Sequence, residues 1–139
     1  MIRFLIFIML LCAPVLSEAQ QKGRIEVLDA DAFEVKTQHI KAELIDVRTR
    51  AEFAEGHLKG ARNIDWNGTD FKAEVKKFPL YQPVFLYCAG GFRSKEAAEW
   101  MQQFGFLNII VLEDGYDHWK ELGKQVTIPS AETQKPKPE

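Results

Sequence analysis

Short apolar runs alternate with segments of helical spacing along most of the chain. The run at residues 84–88 predicts a central parallel strand, because a strand that is covered on both faces has no polar side. Between such runs, apolar residues recur every three or four positions, which predicts helices. The predicted strands cover residues 25–28, 44–47, 63–64, 84–88 and 109–112, and the predicted helices cover residues 30–35, 51–55, 71–78, 94–104 and 116–122.

This alternation predicts one α/β domain with a mostly parallel sheet. A length of 139 residues suits a single domain, and the sequence shows no internal repeat. Residues that favour helix ends support the predicted boundaries. Asp29 is predicted to cap the first helix, Pro79 to stop the third, and Gly105 to end the fourth in the left-handed conformation.

The first 19 residues have the layout of a secretory signal peptide. Arg3 precedes an uncharged stretch at residues 4–16, and a small-x-small site ends at Ala19, where we expect cleavage. An uncleaved membrane anchor is the alternative, but spanning needs about 20 apolar residues and Pro14 interrupts the run. We therefore expect an exported protein, periplasmic or secreted, with no stable membrane anchor after cleavage.

The rest of the chain divides into a folded part at residues 20–129 and a tail at residues 130–139. The tail is rich in Lys, Pro and Glu and is predicted to be disordered. A formal net charge of −2 and a pI near 6.0 do not favour nucleic acid binding, which uses a basic patch. The histidines lack the spacing of metal ligands, so we expect no metal and no cofactor.

Cleavage would also remove Cys12 and leave Cys88 as a single cysteine without an internal disulfide partner. A buried, inert cysteine at the end of a strand is one interpretation. The residues that follow favour another, because two glycines let successive amides point inward while the next helix N-terminus and Arg93 add positive charge. These features stabilise thiolate over thiol, which predicts a nucleophilic sulfur. The predicted anion-binding loop consists of Ala89, Gly90, Gly91, Phe92, Arg93 and Ser94.

A cysteine and an arginine in one loop are also the signature of phosphatases, which place five residues between them to surround a phosphate. Here four residues, 89–92, separate Cys88 from Arg93. The ring is therefore predicted to be too tight for phosphate and better suited to one bound sulfur atom. A phosphatase or arsenate reductase remains an alternative that this spacing disfavours.

Several further motifs follow one another along the chain. They are Leu44-Ile45-Asp46-Val47-Arg48, Glu52-Phe53, Gly56-His57-Leu58-Lys59-Gly60-Ala61, Asn63-Ile64, Gly105-Phe106-x-Asn108 and Leu112-Glu113-x-Gly115-Tyr116-x-x-Trp119. In these motifs and in the Cys88 loop, the chain resembles the rhodanese family of sulfurtransferases. The resemblance implies a rhodanese-like three-layer α/β fold with helices on both faces of the sheet, a persulfide on Cys88, and an anion pocket lined by residues 89–94.

The resemblance also implies the activity. We expect an enzyme that moves sulfane sulfur from thiosulfate, a polysulfide or a persulfide through Cys88 to a thiol or cyanide acceptor. The alternative is an envelope persulfide carrier or binding module that serves a protein partner. In either case we expect a monomer.

Other residues are weaker candidates for the site. Asp46 and Arg48 could support the active site, although a structural ion pair is the favoured interpretation because a charge near the core is usually paired. His57 is predicted to organise a turn. The loop holds one cation, Arg93, fewer than efficient thiosulfate users tend to carry, and Ala89 and Phe92 are predicted to make the pocket small and partly apolar.

Overall fold

The computed structural model describes residues 22–129. Five parallel strands form one sheet in the order β1-β5-β4-β2-β3. The strands are β1 (Arg24–Leu28), β2 (Glu43–Asp46), β3 (Arg62–Asn63), β4 (Val84–Tyr87) and β5 (Asn108–Leu112). The helices are α1 (Ala30–His39), α2 (Arg50–Glu55), α3 (Phe71–Val75), α4 (Phe92–Phe104) and α5 (Gly115–Glu121).

Strand β4 lies in the middle of the sheet and is buried along its whole length. Leu86 on β4 is in register with Ile45 on β2 and with Val111 on β5, and none of the three is accessible to solvent. The loop after β4 therefore begins near the centre of the sheet, at the carboxyl ends of the strands. Ligands bind at this edge in open α/β sheets.

The two faces of the sheet carry separate apolar cores. On β4, Val84 and Leu86 pack into one core and Phe85 and Tyr87 into the other, as the alternation of side chains along a strand requires. The first core also contains residues of α3 and α4, and the second contains residues of α1 and α5. Helices thus cover both faces, and the expected three-layer α/β architecture is confirmed.

Element boundaries differ from the prediction by more than one residue in three places. Helix α1 extends to His39 because its last turn is polar and left no apolar signal. The prediction that Pro79 stops the third helix is wrong, because α3 already ends at Val75 and the chain continues in tighter turns. Helix α4 begins at Phe92 rather than at Ser94, because Gly91 adopts a left-handed conformation (φ 90°) that turns the chain directly into the helix. The predicted caps at Asp29 and Gly105 are present, with the Asp29 carboxylate accepting the Ala32 N–H at 2.8 Å.

The predicted signal peptide at residues 1–19 and the predicted tail at residues 130–139 lie outside the described residues. Between residues 22 and 129, no helix has the length and apolar character that crossing a bilayer requires.

Candidate active site

Cys88 is the first residue after β4 and lies at the carboxyl edge of the central strand. Its side chain is almost fully buried and is a free thiol. The sulfur therefore lies at the start of the loop that joins β4 to α4, at the end of the strand where the sequence predicted it.

Helix α5 fixes the orientation of this loop. The Tyr116 N–H donates to the Cys88 carbonyl at 2.8 Å, and the Asp117 N–H donates to the Ala89 carbonyl at 3.1 Å. Amides in the first turn of a helix have no partner within the helix, so these two are free to bind the loop. Because α5 holds the carbonyl groups of residues 88 and 89, the chain turns and the Gly91 amide faces the sulfur.

Two groups contact the sulfur directly. The Gly91 N–H donates to Cys88 Sγ at 3.1 Å, and Ser94 Oγ lies 3.5 Å from the same atom. The Ser94 hydroxyl also donates to the Gly91 carbonyl at 3.0 Å, which ties the end of the loop to the start of α4. The Gly91 N–H at this distance stabilises negative charge on sulfur, whereas the one proton of the Ser94 hydroxyl is directed at the Gly91 carbonyl.

Two glycines allow the loop and α5 to approach so closely. A Cβ atom on Gly91 would overlap the carbonyl of Glu113, and a Cβ atom on Gly115 would overlap the carbonyls of Cys88 and Ala89. Both residues also have positive φ, 90° and 71°, which a side chain would disfavour. The close contact therefore depends on glycine at both positions.

Arg93 forms an ion pair that the sequence did not indicate. Its Nη1 and Nη2 donate to the two carboxylate oxygens of Glu52 at 2.9 and 2.8 Å. Glu52 lies in the first turn of α2, where it completes a capping box with Thr49 by accepting the Thr49 N–H at 2.9 Å. The spacing of Thr49 and Glu52 could have located the capping box. Nothing in the sequence indicates that Glu52 reaches a residue 41 positions away.

The ion pair determines the charge state of both partners. The hydrogen bond from Arg93 opposes the effect of burial and lowers the pKa of Glu52 to about 2. The hydrogen bond to Glu52 raises the pKa of Arg93, against its desolvation, and the Cys88 thiolate adds a smaller effect in the same direction. Arg93 is therefore close enough to the sulfur to interact with its charge, but its own charge is already compensated by Glu52.

Phe92 does not occupy the position that was predicted for it. Its side chain is 84% exposed, so it does not narrow the pocket around the sulfur as expected. The reason is its place as the first residue of α4, where the turn at Gly91 directs it to solvent. Ala89 is partly buried, Gly90 is exposed and Ser94 is buried.

Asp46 and Arg48 bind each other in the interior. Arg48 Nη2 lies 2.6 Å from Asp46 Oδ2 and also donates to the Gly56 carbonyl at 2.6 Å. The guanidinium group lies 4.0 Å from the centre of the Tyr116 ring, on the helix that orients the Cys88 loop. Both charged side chains are at least 96% buried and are paired, which supports the structural interpretation.

His57 organises the turn after α2, as its sequence position predicts. Its Nδ1 lies 3.1 Å from the Phe53 carbonyl, its ring stacks on the Phe53 ring, and its backbone pairs with Thr127. Within residues 22–129 there is no group of three or more His, Cys, Asp or Glu side chains that could hold a metal ion.

Comparisons with known proteins agree with this geometry. The family model of the rhodanese-like domain matches residues 15–122, so the chain belongs to the rhodanese-like domain family. It is 33% identical over 119 residues to the uncharacterized protein YqhL of Bacillus subtilis, covering 86% of this chain and 91% of that protein. It is also 33% identical over 82 residues to the thiosulfate sulfurtransferase GlpE of Pseudomonas aeruginosa, covering 58% and 72% of the two chains.

A solved structure shows the same fold. The crystal structure of a rhodanese-related protein from Thermoplasma volcanium superposes with a TM-score of 0.66 at 26% sequence identity. The match covers 75% of this chain and 99% of that one. The rhodanese-like fold implied by the sequence motifs is thereby confirmed.

The Arg48→Met substitution tests the structural interpretation of the buried ion pair. Removing the guanidinium leaves the Asp46 carboxylate buried without its partner, so we expect a loss of about 3–5 kcal/mol in the free energy of unfolding. The control is Arg62→Met, since Arg62 lies 3.9 Å from Glu43 at the surface and should contribute less than about 1 kcal/mol. Urea denaturation measures both. Equal stability of the two variants would contradict the structural role.

The Gly115→Ala substitution tests the close contact between α5 and the loop. Gly123→Ala is the matched control, because Gly123 has φ of 70° but no atom within 4 Å of a Cβ at that position. Both variants should lose about 1–2 kcal/mol from backbone strain. Gly115→Ala should lose about 1–3 kcal/mol more, because its methyl group overlaps two carbonyls of the loop. If urea denaturation gives the same loss of unfolding free energy for both variants, the close contact between α5 and the Cys88 loop is contradicted.

Proposed function

We propose that this protein is a sulfurtransferase in which the Cys88 thiolate accepts one sulfane sulfur atom as a persulfide and passes it to a thiol or to cyanide. The observation that carries the proposal is the Gly91 N–H directed at Cys88 Sγ at 3.1 Å. It lies within a loop that has four residues between its cysteine and its arginine. Membership of the rhodanese-like domain family supports the same class of chemistry.

The reaction consists of two displacements at sulfur. In the first, the Cys88 thiolate attacks the outer sulfur of a donor, a bond from Sγ to that sulfur forms, and the donor's own bond to it breaks. The leaving group departs with the electron pair, as sulfite from thiosulfate or as a thiolate from an organic persulfide. In the second displacement, the acceptor attacks the outer sulfur and Cys88 leaves as the thiolate. This is covalent ping-pong catalysis that needs no external oxidant or reductant.

The loop supports both displacements by stabilising negative charge on sulfur. The Gly91 N–H is fixed toward the sulfur before the reaction begins, because α5 holds the loop and the Ser94 hydroxyl ties its end to the first turn of α4. Donors that are already oriented stabilise developing charge without a further cost of reorganisation. Cys88 is a good leaving group in the second displacement for the same reason.

The charge of the loop makes phosphate transfer a poorer candidate. Arg93 is the single cation in residues 88–94, and both of its terminal nitrogens bind Glu52. A phosphate dianion would therefore meet a compensated charge as well as a loop that is one residue short.

We further propose that the protein acts outside the cytoplasm, on the basis of the signal peptide pattern in residues 1–19. The acceptor is then cyanide, a small thiol or a thiol of an envelope protein. The exposed Phe92 ring, on the residue after Gly91, favours an acceptor with an apolar part. A carrier that serves a protein partner is the second candidate for this reason.

Intact mass spectrometry tests the proposed chemistry. Treatment with thiosulfate or a polysulfide should add the mass of one sulfur atom, and cyanide should remove it. The Cys88→Ser variant is the control and should gain nothing, because it lacks the accepting thiolate. If no donor adds sulfur, or if the protein shows a Cys88-dependent phosphatase rate, the proposal is wrong. The same spectrum of protein made in a bacterium reports whether residues 1–19 have been removed.

A further inference from the structure

Glu52 has no place in the sulfur chemistry as written above, but the structure ties it firmly to the Cys88 loop. Its Oε2 accepts hydrogen bonds from the Thr49 N–H and the Thr49 hydroxyl, each at 2.9 Å, and from Arg93 Nη1. Its Oε1 accepts from Arg93 Nη2 at 2.8 Å. The carboxylate is thus fixed by α2 on one side and holds the loop's arginine on the other.

This arrangement removes the positive charge that the loop would otherwise present. A bidentate pair between a guanidinium and a carboxylate is a strong, oriented contact. The pair is only partly exposed, with the Arg93 side chain at 25% and the Glu52 side chain at 33%. Because the pKa of Glu52 is lowered to about 2, the carboxylate keeps its charge at every pH at which an enzyme assay is made.

Other groups next to the loop are also acidic. Glu113 and Asp114 precede α5, and both are exposed. The backbone of these residues lies against Gly91. The loop therefore offers the Gly91 N–H to stabilise one negative charge on the sulfur. Within residues 88–94 it has no uncompensated cation to stabilise a second negative charge.

We propose that Glu52 is a positioning residue which neutralises Arg93 and thereby makes the site select sulfane donors with one negative charge or none over the divalent thiosulfate. The donor class that fits is an organic persulfide or a thiosulfonate. This inference rests on the proposed sulfurtransferase function and adds the substrate class to it.

The balance of charge explains the selection. With thiosulfate, a thiolate must approach a dianion, and the products are a persulfide anion and the sulfite dianion. With an organic persulfide RSSH, the thiolate attacks the terminal sulfur, the S–S bond breaks, and RS⁻ leaves while the proton stays on the new persulfide until it ionises. The second reaction brings a smaller negative charge into the loop, so it needs less positive charge there.

Two donors that differ in charge but share one reactive group provide the test. Thiosulfate and methanethiosulfonate both carry a terminal sulfur on a sulfonyl sulfur, and a methyl group in the second replaces one charged oxygen of the first. The measurement is kcat/KM for each donor with cyanide as acceptor. For each protein we take the ratio of kcat/KM for thiosulfate to kcat/KM for methanethiosulfonate. The two donors have different leaving groups, but this difference cancels when the ratio of a variant is divided by the ratio of the unchanged protein.

Glu52→Gln is the informative variant, because the glutamine oxygen can keep the capping box with Thr49 while the charge that compensates Arg93 and one of its two acceptors are removed. We expect the ratio to shift about tenfold toward thiosulfate, since Arg93 then presents its full charge to the donor. The thiosulfate rate should also fall more steeply with ionic strength than it does in the unchanged protein, because the new attraction is screened by salt. A purely structural role for Glu52 would lower both rates together and leave the ratio and the salt dependence unchanged.

Glu55→Gln is the matched control. Glu55 lies on the same helix, is exposed, and loses the same charge without changing the pair. The inference is wrong if Glu52→Gln leaves the donor ratio unchanged, or if Glu55→Gln shifts it equally. Failure of the proposed function has a different result: neither donor adds sulfur to Cys88 in the unchanged protein or in Glu55→Gln. In that case the inference fails together with the proposed function.

Discussion

The site depends on two hydrogen bonds from the start of α5 to the carbonyls of Cys88 and Ala89. These bonds hold the carbonyl groups of the first two residues after β4. The turn that follows directs the Gly91 N–H at the sulfur. The contact is close enough that both sides need glycine, at Gly91 and Gly115. Helix α5, which follows β5, thus orients the loop that begins at Cys88 after the central strand β4.

The rest of the fold supports this contact. The central position of β4 places Cys88 at the carboxyl edge of the sheet, and the apolar cores on both faces hold that strand in place. The Asp46–Arg48 pair extends the support, since Arg48 lies over the ring of Tyr116, whose N–H binds the Cys88 carbonyl. The buried pair is therefore linked to Cys88 through α5 rather than by direct contact.

The charge of the site is set by a different interaction. A loop of this kind with a free arginine would attract divalent anions, whereas the Glu52–Arg93 pair leaves oriented dipoles as the main source of stabilisation. The sulfur therefore lies in a site that is well arranged for a single negative charge. Under the proposal made above, substrate class depends on the side chain that compensates the arginine, as well as on the loop itself.

The sequence predicted the parts of this account that depend on local pattern. The strands, the place of Cys88 at the end of the central strand and the pairing of Asp46 with Arg48 follow from apolar runs and from the rule that buried charges are paired. The partner of Arg93 and the exposure of Phe92 could not be predicted. The first joins residues 41 positions apart, and the second depends on where α4 begins.

The most direct test of the central claim follows the Gly91 amide by NMR as the Cys88 thiol ionises. A hydrogen bond to a charged acceptor is stronger than one to a neutral acceptor, so the amide proton should move downfield as the ultraviolet absorbance of the thiolate appears. The same titration of Cys88→Ser should show no such step at Gly91. If the Gly91 resonance does not follow the thiolate absorbance, its amide does not hold the sulfur, and the account of the site is wrong.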